Sequence, residues 1–170
     1  MKEFQDFLEV YEEFRKGYDV SDRTNTLVDI VKDQVRFVEQ VKTGERKREN
    51  DSKDVMLDFL VLKMTFEIYT MTERLMNAFE TEFGIKTESS LADKLVRDMR
   101  WLNNYTGDHR NFEEKLHVVI SDSESDSNEH GIKVRMENGD IKTYTLDYLC
   151  SIFDKQRYVE LTKQLKLKLN

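Results

Sequence analysis

The sequence predicts a mainly α-helical protein, a bundle of about six helices with one β-hairpin before the C-terminal helix. The 170 residues contain no proline, and because proline breaks helix interiors, its absence favours long uninterrupted helices. Apolar residues recur at helical spacing along most of the chain. Only a segment at about residues 131–144 alternates apolar and polar residues as a strand does. The length suits one domain with its own core, so residues 1–170 are predicted to form a single helical domain.

The N-terminal part is predicted to form two amphipathic helices. The first covers roughly residues 2–16 and could end at Gly17, and Ser21 can cap a second helix that ends near Gly44. Residues 45–52 contain no apolar side chain and are interpreted as a charged, solvated connector. The residues predicted to be buried are Phe4, Phe7, Leu8, Tyr11, Phe14, Tyr18, Leu27, Ile30, Val31, Val38 and Val41.

Residues 53–120 are predicted to hold the central helices, beginning with one at 53–82 that Gly84 closes. The first turns of this helix are apolar on almost every side, which is typical of a helix buried on most faces. Its polar exceptions are Glu67 and Glu73. Each is either a rim carboxylate with its head in water or a carboxylate that orients a cation at a functional site.

Two further helices are expected before residue 121. The segment T-E-S-S, Thr87 to Ser90, would start the first of them, and Gly107 would stop it. Asp108 can then cap the second.

The C-terminal part begins with an acidic, low-complexity segment at 121–130 that is expected to form a loop. The alternating residues on either side of Asn138-Gly139 predict a hairpin with a tight turn, because both residues tolerate positive φ angles. Thr145 is predicted to cap the last helix. The predicted inner side of that helix consists of Leu146, Leu149, Ile152, Phe153, Leu161 and Leu165.

The composition limits the classes of function. Cys150 is the only cysteine, which excludes an intramolecular disulfide, and one cysteine with three histidines makes a structural zinc site unexpected. No apolar run resembles a signal peptide or a membrane span, so a cytoplasmic location without membrane contact is expected. The net charge of −7 disfavours a protein that coats nucleic acid electrostatically. It is compatible with local cleavage of RNA and with binding to a basic surface.

The segment Gly107 to Ile120, G-D-H-R-N-F-E-E-K-L-H-V-V-I, carries the candidate catalytic residues. Arg110 and His117 are seven residues apart, so a helix projects both from one face. The histidine can move a proton, and the arginine can hold a phosphate and stabilise transition-state charge. Asn111 could position the same phosphate. Together these groups can cleave RNA with its own 2′-hydroxyl as the nucleophile and without a metal or another cofactor.

The same residues have a plainer interpretation as part of an ordinary helix. Arg110 could pair with Glu114 on the helix surface. His117 could be a half-buried histidine that donates to a backbone carbonyl. The spacing of the motif does not choose between the two interpretations.

This motif resembles the signature of the HEPN superfamily, small all-helical proteins of bacterial defence, toxin–antitoxin and RNA-processing systems. The family has an arginine, usually followed by Asn, Asp or His, and then a histidine after four to six intervening residues. Here the pattern reads R-N-F-E-E-K-L-H, from Arg110 to His117. The resemblance implies a homodimer whose two motifs form one cleft, with RNA as substrate. Independently of the resemblance, the carboxylates that could support the catalytic groups are Glu67, Glu73 and Glu114.

A second hypothesis needs no active site. A small acidic helical protein could occupy the basic surface of a nucleic-acid enzyme, as a phage-encoded inhibitor or an antitoxin-like subunit would. The expected partner-binding residues are those of the acidic loop, Asp122, Glu124, Asp126 and Glu129.

Overall fold

The computed structural model describes residues 1–43, 51–91, 131–135, 141–145 and 153–170. These residues form helices α1 (Lys2–Gly17), α2 (Asp22–Lys42), α3 (Asp51–Phe83) and α4 (Lys155–Leu169), and strands β1 (Gly131–Arg135) and β2 (Ile141–Thr145). The mainly α-helical class is therefore confirmed. The count of about six helices depends on residues 92–130, which lie outside the described ranges, and stays a prediction.

Helix α1 forms where its aromatic spacing predicts it. Phe4, Phe7, Tyr11 and Phe14 are buried, at intervals of three or four residues that place them on one face. The helix ends at Gly17, after which Tyr18 adopts an extended backbone and donates its N–H to the carbonyl of Phe14. The predicted bounds of α1 and most of its buried face are confirmed.

Helix α2 begins after Ser21, whose Oγ accepts a hydrogen bond of 3.2 Å from the N–H of Thr24. This is the predicted cap, and the predicted residues Leu27, Val31 and Val38 are buried. The burial of Ile30 was predicted wrongly, since that side chain is exposed. Consecutive helical residues are rotated by about 100°, so Ile30 points well away from the buried face on which Val31 lies.

Helix α3 begins at Asp51, inside the segment predicted as a connector, and runs to Phe83. Gly84 ends it with a φ of +65°, a left-handed conformation that favours glycine. The N–H of Gly84 donates to the carbonyl of Glu80 at 2.9 Å, and that of Ile85 donates to the carbonyl of Phe79 at 3.3 Å. These bonds satisfy carbonyls that the end of the helix leaves free, and the predicted role of Gly84 is confirmed.

Strands β1 and β2 pair in antiparallel fashion, with Gly131 opposite Thr145 and Arg135 opposite Ile141. Thr145 was predicted to cap the last helix and instead ends β2. That helix, α4, begins at Lys155, and Asp154 caps it. Thr145 and Asp154 are both residue types that suit a helix cap. Thr145 pairs with Gly131 of β1, and Asp154 caps the helix.

The contacts of the chain divide it into two compact units. The first contains residues Met1–Phe37, Glu67–Leu91 and Phe153–Asn170, and the second contains Val38–Phe66 and Ala92–Ile152. The chain thus leaves the first unit twice, once within α2 and once after Leu91, and returns within α3 and at Phe153.

The core of the first unit is mainly aromatic and joins α1, α4 and the end of α3. Tyr158 lies at the centre: its ring is stacked on Phe153 at 5.0 Å and meets Phe4 edge to face at 5.0 Å. Phe79 of α3 contacts Phe7 at 6.2 Å. At the other end of α1, the hydroxyl of Tyr18 donates to the carbonyl of Lys168 at 2.5 Å. Helices α1 and α4 therefore run parallel along their length.

Candidate functional site

Most of the predicted site residues lie outside the described ranges. These are Arg110, Asn111, Glu114 and His117 of the motif and Asp122, Glu124, Asp126 and Glu129 of the acidic segment. Two predicted residues, Glu67 and Glu73, are described. Glu67 is exposed on α3, which agrees with a carboxylate whose head lies in water. Glu73 forms an ion pair with Arg157 of α4, and its predicted role beside the motif stays a prediction.

Arg157 is the centre of a buried polar cluster. Its side chain is only 7% exposed, and its Nη1 pairs with Oε1 of Glu73, whose side chain is 36% exposed. The Nε of Arg157 donates to Oγ1 of Thr87 at 3.1 Å, and Nη2 donates to the carbonyl of Thr87 at 3.4 Å. A buried cation needs such partners because burial removes its hydration. Arg157 thereby holds α3 and the segment after it against α4.

Asp154 extends this cluster to the residues that follow Thr87. The carboxylate is 5% exposed and caps α4 by accepting the N–H of Arg157 at 3.2 Å. It also accepts the hydroxyl of Ser89 at 2.9 Å, the N–H of Ser90 at 2.9 Å and the hydroxyl of Ser90. The helix that the segment Thr87 to Ser90 was predicted to start would continue beyond Leu91, outside the described ranges, and stays a prediction. Thr87 to Ser90 contains no helical residue.

The cluster lies where the chain leaves the first unit at Leu91 and returns to it at Phe153. Hydrogen bonds from Ser89 and Ser90 to Asp154 therefore tie together the two ends of residues 92–152. Asp154 accepts four hydrogen bonds and Arg157 donates three from its guanidinium, all within the cluster. This geometry is that of a structural junction that fixes both ends of residues 92–152, the segment that carries the motif.

Sequence reasoning missed Asp154 and Arg157. A usable signal was present for the aspartate, which directly precedes the helical pattern of Tyr158, Leu161 and Leu165 as a cap residue does. No local signal marked Arg157, because its partners lie more than 60 residues away in the sequence.

A second carboxylate, Glu82 near the end of α3, binds the start of α2. It accepts hydrogen bonds from the hydroxyl of Ser21, from the N–H of Ser21 at 3.3 Å and from the hydroxyl of Thr24 at 2.5 Å. Partial burial raises the pKa of Glu82, but the hydrogen bonds from Ser21 and Thr24 lower it by more, so the pKa lies below the ordinary value of 4.5. The partial positive charge at the helix start also favours the carboxylate.

A groove of about 400 Å³ runs along the first unit between α1 and α4. One side carries Glu3 and Asp6 of α1, and the other carries Lys163 and Lys166 of α4. The groove is also lined by Val159, Thr162, Leu167 and Asn170. The two apolar side chains among these residues are well exposed, Val159 at 42% and Leu167 at 63%.

Two tyrosine hydroxyls are buried in the core of the first unit and serve it as hydrogen-bonding groups. The hydroxyl of Tyr158 lies 2.8 Å from Oγ1 of Thr72, and burial raises the pKa of Tyr158. The hydroxyl of Tyr11 donates to Oδ1 of Asn25 at 2.6 Å. Burial raises the pKa of Tyr11 to about 12. Both hydroxyls therefore stay protonated at neutral pH.

No family model matches the sequence, and the comparisons with curated proteins and with solved structures give no match either. Among the helices that the structure describes, none is long and apolar enough to cross a membrane.

Proposed function

We propose that this protein is a metal-independent endoribonuclease of the HEPN type, working in a bacterial defence or toxin–antitoxin system. The observation that carries the proposal is the resemblance of R-N-F-E-E-K-L-H, from Arg110 to His117, to the HEPN signature, in a mainly helical chain. The pattern supplies a proton-transfer group and a phosphate-binding group seven residues apart. It needs neither a metal nor a cofactor.

In this proposal each group has one chemical role. His117 moves the proton of the 2′-hydroxyl or of the leaving oxygen, and Arg110 stabilises the charge that develops on the phosphate. Asn111 positions that phosphate. The 2′-oxygen attacks the neighbouring phosphorus, the bond to the 5′-oxygen breaks, and a 2′,3′-cyclic phosphate end results. Two chains contribute their motifs to one cleft.

The test is cleavage of a labelled single-stranded RNA in the presence of EDTA. The wild-type chain is expected to produce fragments with 2′,3′-cyclic phosphate ends. Arg110→Ala and His117→Ala should each reduce cleavage by at least about 100-fold, the usual range for losing a proton-transfer or charge-stabilising group.

Lys115→Ala is a suitable matched control, because it removes a charged side chain within the same motif that has no proposed role. It should cleave like the wild type. Cleavage that survives either Arg110→Ala or His117→Ala would disprove the assignment.

The acidic loop favours a second candidate, a non-catalytic protein that binds a basic surface of a nucleic-acid enzyme. The run from Asp122 to Glu129 contains four carboxylates and no basic residue. In that case the wild-type chain should not cleave RNA. Replacing Asp122, Glu124, Asp126 and Glu129 with Asn or Gln should then weaken a salt-sensitive complex with a basic nuclease.

A further inference from the structure

We propose that the groove between α1 and α4 binds an amphipathic helix of another protein. The bound helix carries basic side chains along the edge that faces α1 and acidic side chains along the edge that faces α4. The groove belongs to the first unit alone, and its role does not depend on Arg110 or His117. The charges and the apolar side chains that line it specify this class of partner.

The two sides of the groove carry opposite charges that have no partner within the described chain. Glu3 and Asp6 lie on α1, and Lys163 and Lys166 lie on α4. Among the residues that the structure describes, none of these four side chains forms an ion pair. A ligand with a single sign of charge is attracted to one side and repelled by the other. The groove therefore selects a ligand that carries both signs, each on its own edge.

The shape of the groove and the backbone that borders it favour a single helix as the ligand. Helices α1 and α4 pair their backbone N–H and carbonyl groups internally, so an extended segment would find no backbone partners along them. A helix pairs its own backbone groups and offers a ridge of side chains that enters the groove. A second copy of this chain would set its groove against the same groove. The acids of α1 would repel a phosphate backbone.

The apolar side chains of α4 set the spacing of that ridge. Val159 and Leu167 lie four residues before and four residues after Lys163, so the three share one face and the apolar pair is about 12 Å apart along the helix. Leu167 is the most exposed of the large hydrophobic residues that the structure describes, at 63%, and Val159 is 42% exposed. Two apolar side chains about two turns apart on the bound helix would cover both and remove them from water. An acidic side chain between them would reach Lys163.

The acidic side of the groove sets the opposite edge of the bound helix. Glu3 and Asp6 are three residues apart on α1, so they lie on one face, about one turn from each other. Two lysines or arginines at the same spacing on the bound helix match them. Exposed ion pairs of this kind add little affinity, but they decide which ligands are accepted, because a like charge at either edge is repelled.

The experiment measures the binding of labelled synthetic helices to the full chain by fluorescence anisotropy. Three alanine-rich peptides of about 20 residues, long enough to be helical, share one apolar ridge and differ only in their edges. The mixed peptide has one lysine edge and one glutamate edge, and the other two have lysine or glutamate on both edges. The wild type should bind the mixed peptide with micromolar affinity and each of the others at least about tenfold more weakly. Reversing a helix in the groove exchanges its edges, so a single mixed peptide is sufficient.

Variants of the two sides should exchange the preferred peptide. The double variant Lys163→Glu/Lys166→Glu makes both sides acidic and should bind the lysine peptide best. The double variant Glu3→Lys/Asp6→Lys makes both sides basic and should bind the glutamate peptide best. Far-UV circular dichroism verifies that both variants keep the helical content of the wild type.

A matched pair of single variants locates the apolar contact. Leu167→Glu should weaken binding of the mixed peptide by at least about tenfold, because it places a charge against the apolar ridge. Leu169→Glu is the control, since Leu169 is 41% exposed on the same helix but does not line the groove. It should bind the mixed peptide like the wild type.

Four results would each overturn the proposal. The first is a mixed peptide that does not bind at chain concentrations up to about 500 μM, where a weak complex still forms. The second is a glutamate peptide that binds the wild type as well as the mixed peptide does, since the lysines of α4 would then act alone. The third is an unchanged order of preference in the double variants, and the fourth is equal binding by Leu167→Glu and Leu169→Glu. Because the measurement contains no RNA, its result is independent of the cleavage assay.

Discussion

Two carboxylates bind helix starts in this protein. They differ in burial, and one belongs to the helix that it caps while the other belongs to a different helix. Asp154 caps its own helix, α4, and is 5% exposed. Glu82 binds the start of α2 from the end of α3 and is exposed. Both accept hydrogen bonds from serine or threonine hydroxyls and from a backbone N–H.

The comparison teaches that similar hydrogen bonds contribute differently to stability. Water can solvate the exposed carboxylate of Glu82 when its hydrogen bonds break, so their loss costs less. Water reaches Asp154 and Arg157 poorly, so a lost partner there leaves an unsatisfied buried group. The buried cluster also joins two parts of the chain that lie far apart in sequence. Ser89 and Ser90 form one part, and Asp154 belongs to the other.

The largest effect is expected at the ion pair of the buried cluster. Glu73→Ala leaves the buried guanidinium of Arg157 without its carboxylate, and the free energy of unfolding should fall by about 3 kcal/mol, the lower end of the range for a buried charge that loses its partner. Urea unfolding followed by circular dichroism measures the change.

The double variant Glu73→Ala/Arg157→Met provides the control for this prediction. It also removes the unpaired charge of Arg157 and should therefore be more stable than Glu73→Ala alone. A loss below about 0.5 kcal/mol for Glu73→Ala would contradict the prediction, because it would show that this ion pair contributes no more than a pair on the surface.

A smaller loss is expected when Asp154 is replaced. Asp154→Ala removes the cap of α4 and the acceptor of Ser89 and Ser90, so the free energy of unfolding should fall by about 2 kcal/mol. Asp154→Asn keeps one carbonyl oxygen for the cap and should lose less. Equal losses in the two variants would show that the helix cap contributes nothing.

The smallest effect is expected at Glu82 and depends on pH. Its folded-state pKa lies below 4.5, so its ionised form stabilises the fold. This contribution is fully present above the ordinary pKa and is lost as the pH falls through the lower folded-state value. Glu82→Gln should therefore cost less than about 1 kcal/mol at pH 7.

The test compares urea unfolding of Glu82→Gln and of the wild type at neutral pH and below pH 4.5, the ordinary pKa. The difference between the two proteins should shrink in the acid range, where Glu82 becomes protonated. A difference that is the same at both pH values would contradict the assigned direction of the pKa.

Much of the first unit could be predicted from local patterns. The aromatic spacing gave the bounds of α1, Ser21 was recognised as the cap of α2, and Gly84 as the end of α3. These features depend on a few neighbouring residues, so the sequence carries them directly. The predicted functional residues were harder to place. Of those that the structure describes, only Glu73 takes part in a polar cluster, and its partner, Arg157, was not predicted.

The amino-acid sequence alone determined the helical class, the buried face of α1 and the glycine that ends α3, since backbone geometry and hydrophobic periodicity act over single turns. Only the tertiary structure decided that Asp154 and not Thr145 caps the last helix and that Glu73 faces Arg157. It also brought the acids of α1 beside the lysines of α4. These arrangements join residues that are far apart in sequence, and their energies arise from burial and charge that exist only once the helices have packed.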